Sequence, residues 1–582
     1  MTSRVRDVLR QLAGLCCLCL MASMANAAAV RIELVGLTGA LHDGVLASLD
    51  ISAEAARERV SAARLRRAHA AAPGQIAAAL EASGYYRSTV SADLTQADGG
   101  WQARYVVQRG PPLRISQLQV TVSGPGGSDL ALQAARPAFP LKVGDRLRHA
   151  RYESGKRAVL AAFLEHGYLD ARYTQHRIDV DLDAYEARVV LVLDSGQRYR
   201  FGAVTLDDTV VQESLLRRYG APQPGAPYQA VDLLGYQGAL SDSGYFSSVE
   251  VTPGSPDKQT HTVPVKVALS PRPRHAYRVG AGFATDSGPR LRAGHERRYV
   301  NGRGHSLESN LLLSPRNSSL GTSYRIPLAD PRTEQLSFGA VLRREDTVTA
   351  RSDAINLQSA YVRRQGIWRR TLGADYLVEN FTAGDDSGSS KLLIPSVSWL
   401  GSSSDDPLWP RRGGRLEFTL RGALAGLLSD LSFAQTRAAG KYVAGLGRNQ
   451  RLLGRVEMGS AWVDGFRELP ASLRFYAGGD QSVRGYDYQK LGPRDRSGDV
   501  VGGRHLLVAS LEYEWMFAGD FGGALFFDAG NAFDGARLNL KRGAGFGVRW
   551  RSPIGAVRVD VASAVSEPGA PLRLHLSVGP DL

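Results

Sequence analysis

The second half of this 582-residue chain alternates apolar and polar side chains in short runs, and a period of two confines such runs to β-strands with one face buried in apolar surroundings. In the last run Leu572, Leu574, Leu576 and Val578 alternate with Arg573, His575 and Ser577. The run before it sets Val557, Val559 and Val561 against Arg558 and Asp560. Farther back, Leu507, Ala509, Leu511, Tyr513 and Trp515 face away from Ser510, Glu512 and Glu514, and Leu416, Phe418 and Leu420 face away from Glu417 and Thr419. About sixteen such segments follow one another from roughly 276–285 to 570–579, separated by polar, glycine-rich turns. An even number lets an antiparallel sheet close on itself with both chain ends on one side. The pattern breaks between about 464 and 502, where nearly forty residues show little sustained alternation, as expected of a functional loop.

Two media could take the apolar faces: a protein core or lipid. The N-terminus decides between them. Arg4, Arg6 and Arg10 precede an apolar stretch from Leu12 to about Met24 that ends at Ala25-Asn26-Ala27, the pattern of a secretory signal peptide over residues 1–27. Its apolar run is too short for a spanning helix. Export together with so many strands favours an outer-membrane barrel, apolar outside and charged within a wet lumen. All three cysteines, Cys16, Cys17 and Cys19, lie in the leader, so the mature chain is expected to hold neither a disulfide nor a thiolate metal site. With 71 Lys and Arg against 57 Asp and Glu the net charge is +14, a surplus that suits anionic lipid head groups or acidic partners. No basic run with interleaved aromatics marks a nucleic-acid surface.

The first half contains a repeat. Leu80-Glu81-Ala82-Ser83-Gly84-Tyr85-Tyr86, Leu164-Glu165-His166-Gly167-Tyr168-Leu169 and Leu240-Ser241-Asp242-Ser243-Gly244-Tyr245-Phe246 share a Leu followed by a Gly-aromatic pair, with the glycines 83 and 77 residues apart. Each copy reads as a helix ending at Gly, which accepts φ > 0, followed by an aromatic that starts a strand. Strands are expected at 88–94, 171–178 and 248–252, and a second in each unit at 102–107, 187–193 and 262–269. The result is three α+β modules, over residues 28–112, 113–198 and 199–274, ahead of a barrel over 275–582.

This order resembles POTRA domains, periplasmic modules that bind unfolded or partner polypeptides, and such modules can offer a sheet edge to an extended peptide. A second resemblance lies in the long loop. Phe475-Tyr476-Ala477-Gly478-Gly479 followed by Val483-Arg484-Gly485-Tyr486 is similar to the lid-loop signature of the BamA-type outer-membrane assembly and translocation superfamily. Phe526-Phe527-Asp528-Ala529-Gly530 and Gly547-Val548-Arg549-Trp550-Arg551-Ser552-Pro553 resemble two strands of that superfamily, and Asp406-Pro407-Leu408-Trp409-Pro410 with Gly413 resembles a recurring turn. Three modules on a barrel of this size, and the ending Ser577-Val578-Gly579-Pro580-Asp581-Leu582, resemble the TamA branch. The resemblance implies a TamB-like inner-membrane-anchored partner, unfolded outer-membrane protein clients such as autotransporters, and contact with outer-membrane lipids.

Parity places Phe526, Asp528 and Gly530 on one face of their strand, so that Asp528 faces the lumen, and it points Arg549 inward as well. A lid folded into the lumen would bury Arg484 beside that wall, where a guanidinium needs a carboxylate or carbonyl, and Asp528 is the expected partner. The lid site therefore comprises Gly478, Gly479, Val483, Arg484, Gly485 and Tyr486, with Phe526, Asp528, Gly530 and Arg549 as the wall. A second expected site is the seam between the first strand (Tyr277, Gly280, Gly282) and the last (Leu574, Leu576, Gly579). Glycines there would weaken closure and leave an edge able to template a client strand. Zinc spacings, phosphate loops and serine elbows are missing from the sequence, and its eleven histidines are expected at surfaces or turns, so neither an enzyme nor a cofactor or metal is expected. The alternatives are a two-partner secretion transporter, which an adjacent gene for a secreted partner would support, and a passive pore, which open conductance would support.

Overall fold

The computed structural model describes residues 30–579 apart from 58, 59, 98, 99, 136, 137, 208, 287, 536 and 554. The expected leader with its cysteines, and Pro580 at the far end, lie outside the described residues.

Three sheets of three strands follow one another in the first half. They contain β1 (Val30–Val35), β2 (Thr89–Ala97) and β3 (Gly100–Gln108); β4 (Arg114–Ser123), β5 (Arg172–Asp181) and β6 (Glu186–Asp194); and β7 (Arg200–Leu206), β8 (Phe246–Pro253) and β9 (Thr262–Pro271). Their orders are β1-β3-β2, β4-β6-β5 and β7-β9-β8. The opening strand of each sheet is an addition to the two expected from the repeat. β1 and β4 run parallel to the central strand, and β2 and β5 run antiparallel to it. In β4 a register shift between Ile115 and Gln117 puts the alternation of Leu118, Val120 and Val122 out of phase with Ile115.

The helices Ala62–Ala82, His149–Glu165 and Ala230–Asp242 end just before Gly84, Gly167 and Gly244. Those glycines have φ of +87°, +90° and +81°, the left-handed conformation that stops a helix at little steric cost. The aromatic after each glycine does not start a strand in the first two units. Tyr85 and Tyr168 are buried, and β2 and β5 begin four residues after each; only in the third does β8 follow Tyr245 directly. In the first unit Leu65, Ala72, Ile76 and Leu80, at helical spacing, pack against Ala103, Tyr105 and Val107 of β3.

Sixteen further strands form one antiparallel sheet in sequence order. They are β10 (His275–Ala284), β11 (Gly288–Arg297), β12 (Ser306–Leu313), β13 (Asn317–Pro327), β14 (Glu334–Asp346), β15 (Ala350–Gln365), β16 (Trp368–Ala383), β17 (Asp386–Ser404), β18 (Arg412–Ala423), β19 (Phe433–Gly445), β20 (Gln450–Val463), β21 (His505–Ala518), β22 (Phe521–Phe533), β23 (Lys541–Ser552), β24 (Gly555–Ser563) and β25 (Leu572–Gly579). The expected barrel of sixteen strands is thus present. Its outer surface carries Leu416, Phe418, Leu511, Leu525, Phe527, Phe546 and Val548, all exposed as single molecules and suited to lipid. Among the described residues no helix is long and apolar enough to cross a membrane.

The sheet is nearly closed. β10 stands at one end of the strand order and β25 at the other, and among the described residues no ladder joins them. Edge side chains there are open: Tyr277 is 74%, Val279 81% and Leu572 74% exposed.

Candidate functional site

Parity on the interior face of five consecutive strands, β20 to β24, places charged groups side by side. Ser510, Glu512 and Glu514 alternate along β21, Asp528 lies opposite Ser510 on β22, and Arg549 and Asp560 come from β23 and β24. Into this wall projects Arg484 from the segment between β20 and β21. Its backbone N–H and Nε donate to Asp528 Oδ2 at 3.0 and 2.7 Å, and its Nη2 donates to Oδ1 at 3.0 Å. The Nη1 donates to Glu512 at 2.6 Å and to Asp560 at 3.2 Å, while the guanidinium carbon sits 3.4 Å from the centre of the Phe526 ring. Asp528 is wholly buried and also accepts from Ser510 at 2.6 Å.

Arg549 extends the network. It donates to Glu512 at 2.6 Å, to Glu514 at 3.0 Å and to Asp560 at 2.5 Å. Glu514 in turn accepts from Arg451 of β20 at 2.5 Å. Arg451 donates to the Pro410 carbonyl at 2.8 Å and stacks on Trp409, 3.4 Å from the ring centre. A continuous path of buried ion pairs therefore runs from the lid across the wall to the turn 405–411. Buried pairs of this kind repay their desolvation only when all donors and acceptors are matched, so they fix one arrangement more than they add stability.

The loop is held elsewhere too. Phe475, Ala477, Val483, Tyr486 and Leu491 pack with the inward Ala461, Leu506, Val508 and Ala532. Arg474 donates to Asp386 at 3.0 Å and to the Leu469 carbonyl at 2.9 Å, and Arg455 donates to the Ser482 carbonyl at 2.6 Å. Gly485 has φ +95°, and a Cβ there would lie 2.7 Å from the Ser563 carbonyl carbon, so the lid backbone touches the strand backbone directly. Gly478 and Gly479 adopt the same left-handed conformation at +100° and +107°, and Gly530 lies on the wall beside Val508.

Several contributors escaped the sequence pattern. Glu512, Glu514 and Asp560 were visible as inward-facing, but their convergence on Arg484 comes from strand register. Asp480, Asp286 and His575 carried no motif. His575 corrects the expectation that histidines occupy surfaces or turns: it is 2% exposed, and its ring lies between the last strand and the lid. Asp286, Asp480 and His575 bring three ligand-type atoms within 4.8 Å of one another, the one grouping among the described residues whose chemistry could hold a metal ion.

The seam residues divide by face. Tyr277 is open on β10, and Leu574 is 56% exposed on β25 beside the half-buried Leu576. Gly280 has no neighbour where a side chain would stand, and Gly282 lies beside Arg290 of β11. Gly579 pairs with Ala556 of β24.

Comparison with known proteins adds a frame to this geometry. Residues 300–580 match an Omp85 superfamily domain, and residues 31–109 match a POTRA domain described as TamA domain 1. The outer membrane protein assembly factor BamA of Nitratidesulfovibrio vulgaris is 24% identical over 504 residues, covering 82% of this chain and 62% of that protein. BamA of Neisseria meningitidis serogroup B is 26% identical over 406 residues, covering 62% of this chain and 49% of that protein. The chain thus spans about half to three fifths of the length of these relatives. The crystal structure of BamA from Haemophilus ducreyi lacking POTRA domains 1-3 shares the fold with a TM-score of 0.68, at 17% identity, over 80% of this chain and 99% of that one.

Proposed function

Because the chain carries an Omp85 superfamily domain at residues 300–580 behind a TamA-type POTRA domain at residues 31–109, we propose that it is an outer-membrane assembly factor. In this reading it helps insert or secrete outer-membrane proteins such as autotransporters, with its POTRA modules in the periplasm and a TamB-like protein as partner. The observation that carries the reading is the seam. Among the described residues every barrel strand from β11 to β24 has two partners, whereas β10 and β25 each have one. An unpaired edge offers backbone N–H and C=O groups to any extended chain, independent of its side chains, which is what a handler of many clients requires. Outer-membrane lipids would meet the apolar belt beside that edge.

The lid gives the barrel its second property. A loop anchored by Arg484 inside the lumen leaves less room for solute flow than an open pore does, which favours assembly over passive diffusion. The chemistry proposed is strand pairing and insertion, with no bond made or broken and no cofactor.

Depletion followed by outer-membrane proteomics, paired with crosslinking from Val279 of β10, tests the reading. Loss of a defined set of barrel proteins and capture of client strands are expected. An unchanged outer membrane combined with large open conductance in planar bilayers would instead identify a pore.

A further inference from the structure

The lid touches β25 and the turn that follows β10, and one residue lies at the meeting point. Asp480 accepts from Thr285 Oγ1 at 3.0 Å, and its own backbone N–H donates to Asp286 Oδ2 at 2.7 Å; Thr285 and Asp286 lie just beyond the end of β10. From the other side, His575 of β25 donates through Nδ1 to Asp480 Oδ1 at 2.5 Å. The ring's tautomer follows from its second contact. Gly485 N–H donates to His575 Nε2 at 2.9 Å, so Nε2 must be the bare nitrogen and Nδ1 must carry the hydrogen. Finally, the Leu576 N–H of β25 donates to Thr285 Oγ1 at 3.3 Å, and Arg573 pairs with Asp487 of the lid.

We infer that Asp480 and His575 form a clasp through which the seated lid holds the β10 turn against β25, so that the lid-side end of the seam opens only when the lid leaves. Among the described residues these hydrogen bonds and the ion pair link the two edges where the sheet lacks a ladder, and all but the Leu576–Thr285 bond pass through the lid. The clasp and the Arg484 anchor sit on one short segment, so movement of that segment releases both. A client strand pairing with the lid-side end of β25 therefore competes with the lid. The inference rests on reading the seam as the port for clients, and it names what holds the lid-side end of that port together at rest.

The test is hydrogen exchange on the full chain in lipid bilayers, with no client added, comparing the parent with Asp480→Asn and His575→Ala. Exchange at β10 and β25 amides should rise on the order of tenfold, the factor set by losing one charge-assisted hydrogen bond, while β15 and β16 stay unchanged. Thr285→Val, a milder change, should raise exchange at the same two strands by less. Unchanged exchange at β10 and β25 in the two stronger variants would overturn the clasp, as would an equal rise in β15 and β16, which marks general loosening. Because the readout uses no client, it can fail while client assembly succeeds, and the reverse.

Discussion

Arg484 and Asp528 meet through three hydrogen bonds, one from the lid backbone and two from the guanidinium, in a wall where Asp528 has no exposure to solvent. The pairing uses the Nε–Nη2 edge of a planar cation while Nη1 reaches Glu512 and Asp560, a fork that a lysine cannot reproduce.

Replacing Arg484 by Ala would leave Asp528, Glu512 and Asp560 facing one another with one cation fewer. Breaking a buried pair on one side costs about 3–5 kcal/mol, whereas removing both partners costs less than the sum. Arg484→Ala should therefore expose residues 474–502 to limited proteolysis, Arg484→Lys should protect them only in part, and the Arg484→Ala/Asp528→Ala double variant should be less affected than the single changes added together.

Gly485→Ala should displace the lid even though it removes no polar contact. The alanine would need an unfavourable φ and would press its methyl group onto the Ser563 backbone, a penalty of about 1–3 kcal/mol from the backbone alone. Gly447, also at positive φ but with open space around it, is the control: its alanine variant should leave proteolysis of the lid unchanged.

The turn 405–411 gives a third contrast. Trp409 is buried beneath Arg451 and packs with Met516 and Ala556, while its neighbour Leu408 is 42% exposed. Trp409→Ala should lower barrel stability by about 3–5 kcal/mol and free Arg451 from its stack, whereas Leu408→Ala should have little effect, as thermal unfolding in detergent would register.

Much of this architecture was legible because a barrel strand announces itself locally. Phe526 and Asp528 turn inward and Leu525 and Phe527 outward from parity alone. The lid was legible for a different reason: Val483-Arg484-Gly485-Tyr486 interrupts the alternation with a pattern that resembles a known motif. What could not be read locally was whatever depends on register or on a break in period. In β4 the register shift at Ile115 and Gln117 takes Ile115 out of phase with Leu118, Val120 and Val122. Glu512 and Asp560 lie 28 and 76 residues from Arg484 and reach it only once the sheet is assembled. His575 looked like one more polar residue of an alternating strand, and only the lid folding against that strand makes it a buried contact.

Passage of clients through the seam between β10 and β25 would be blocked by a disulfide engineered across those two strands. The three cysteines of the chain are Cys16, Cys17 and Cys19, so once the expected leader is removed that bond would form without native competitors. Cells carrying only the oxidised form should lose assembly of client barrels and regain it when the bond is reduced. Normal client assembly with the seam fully crosslinked would contradict it.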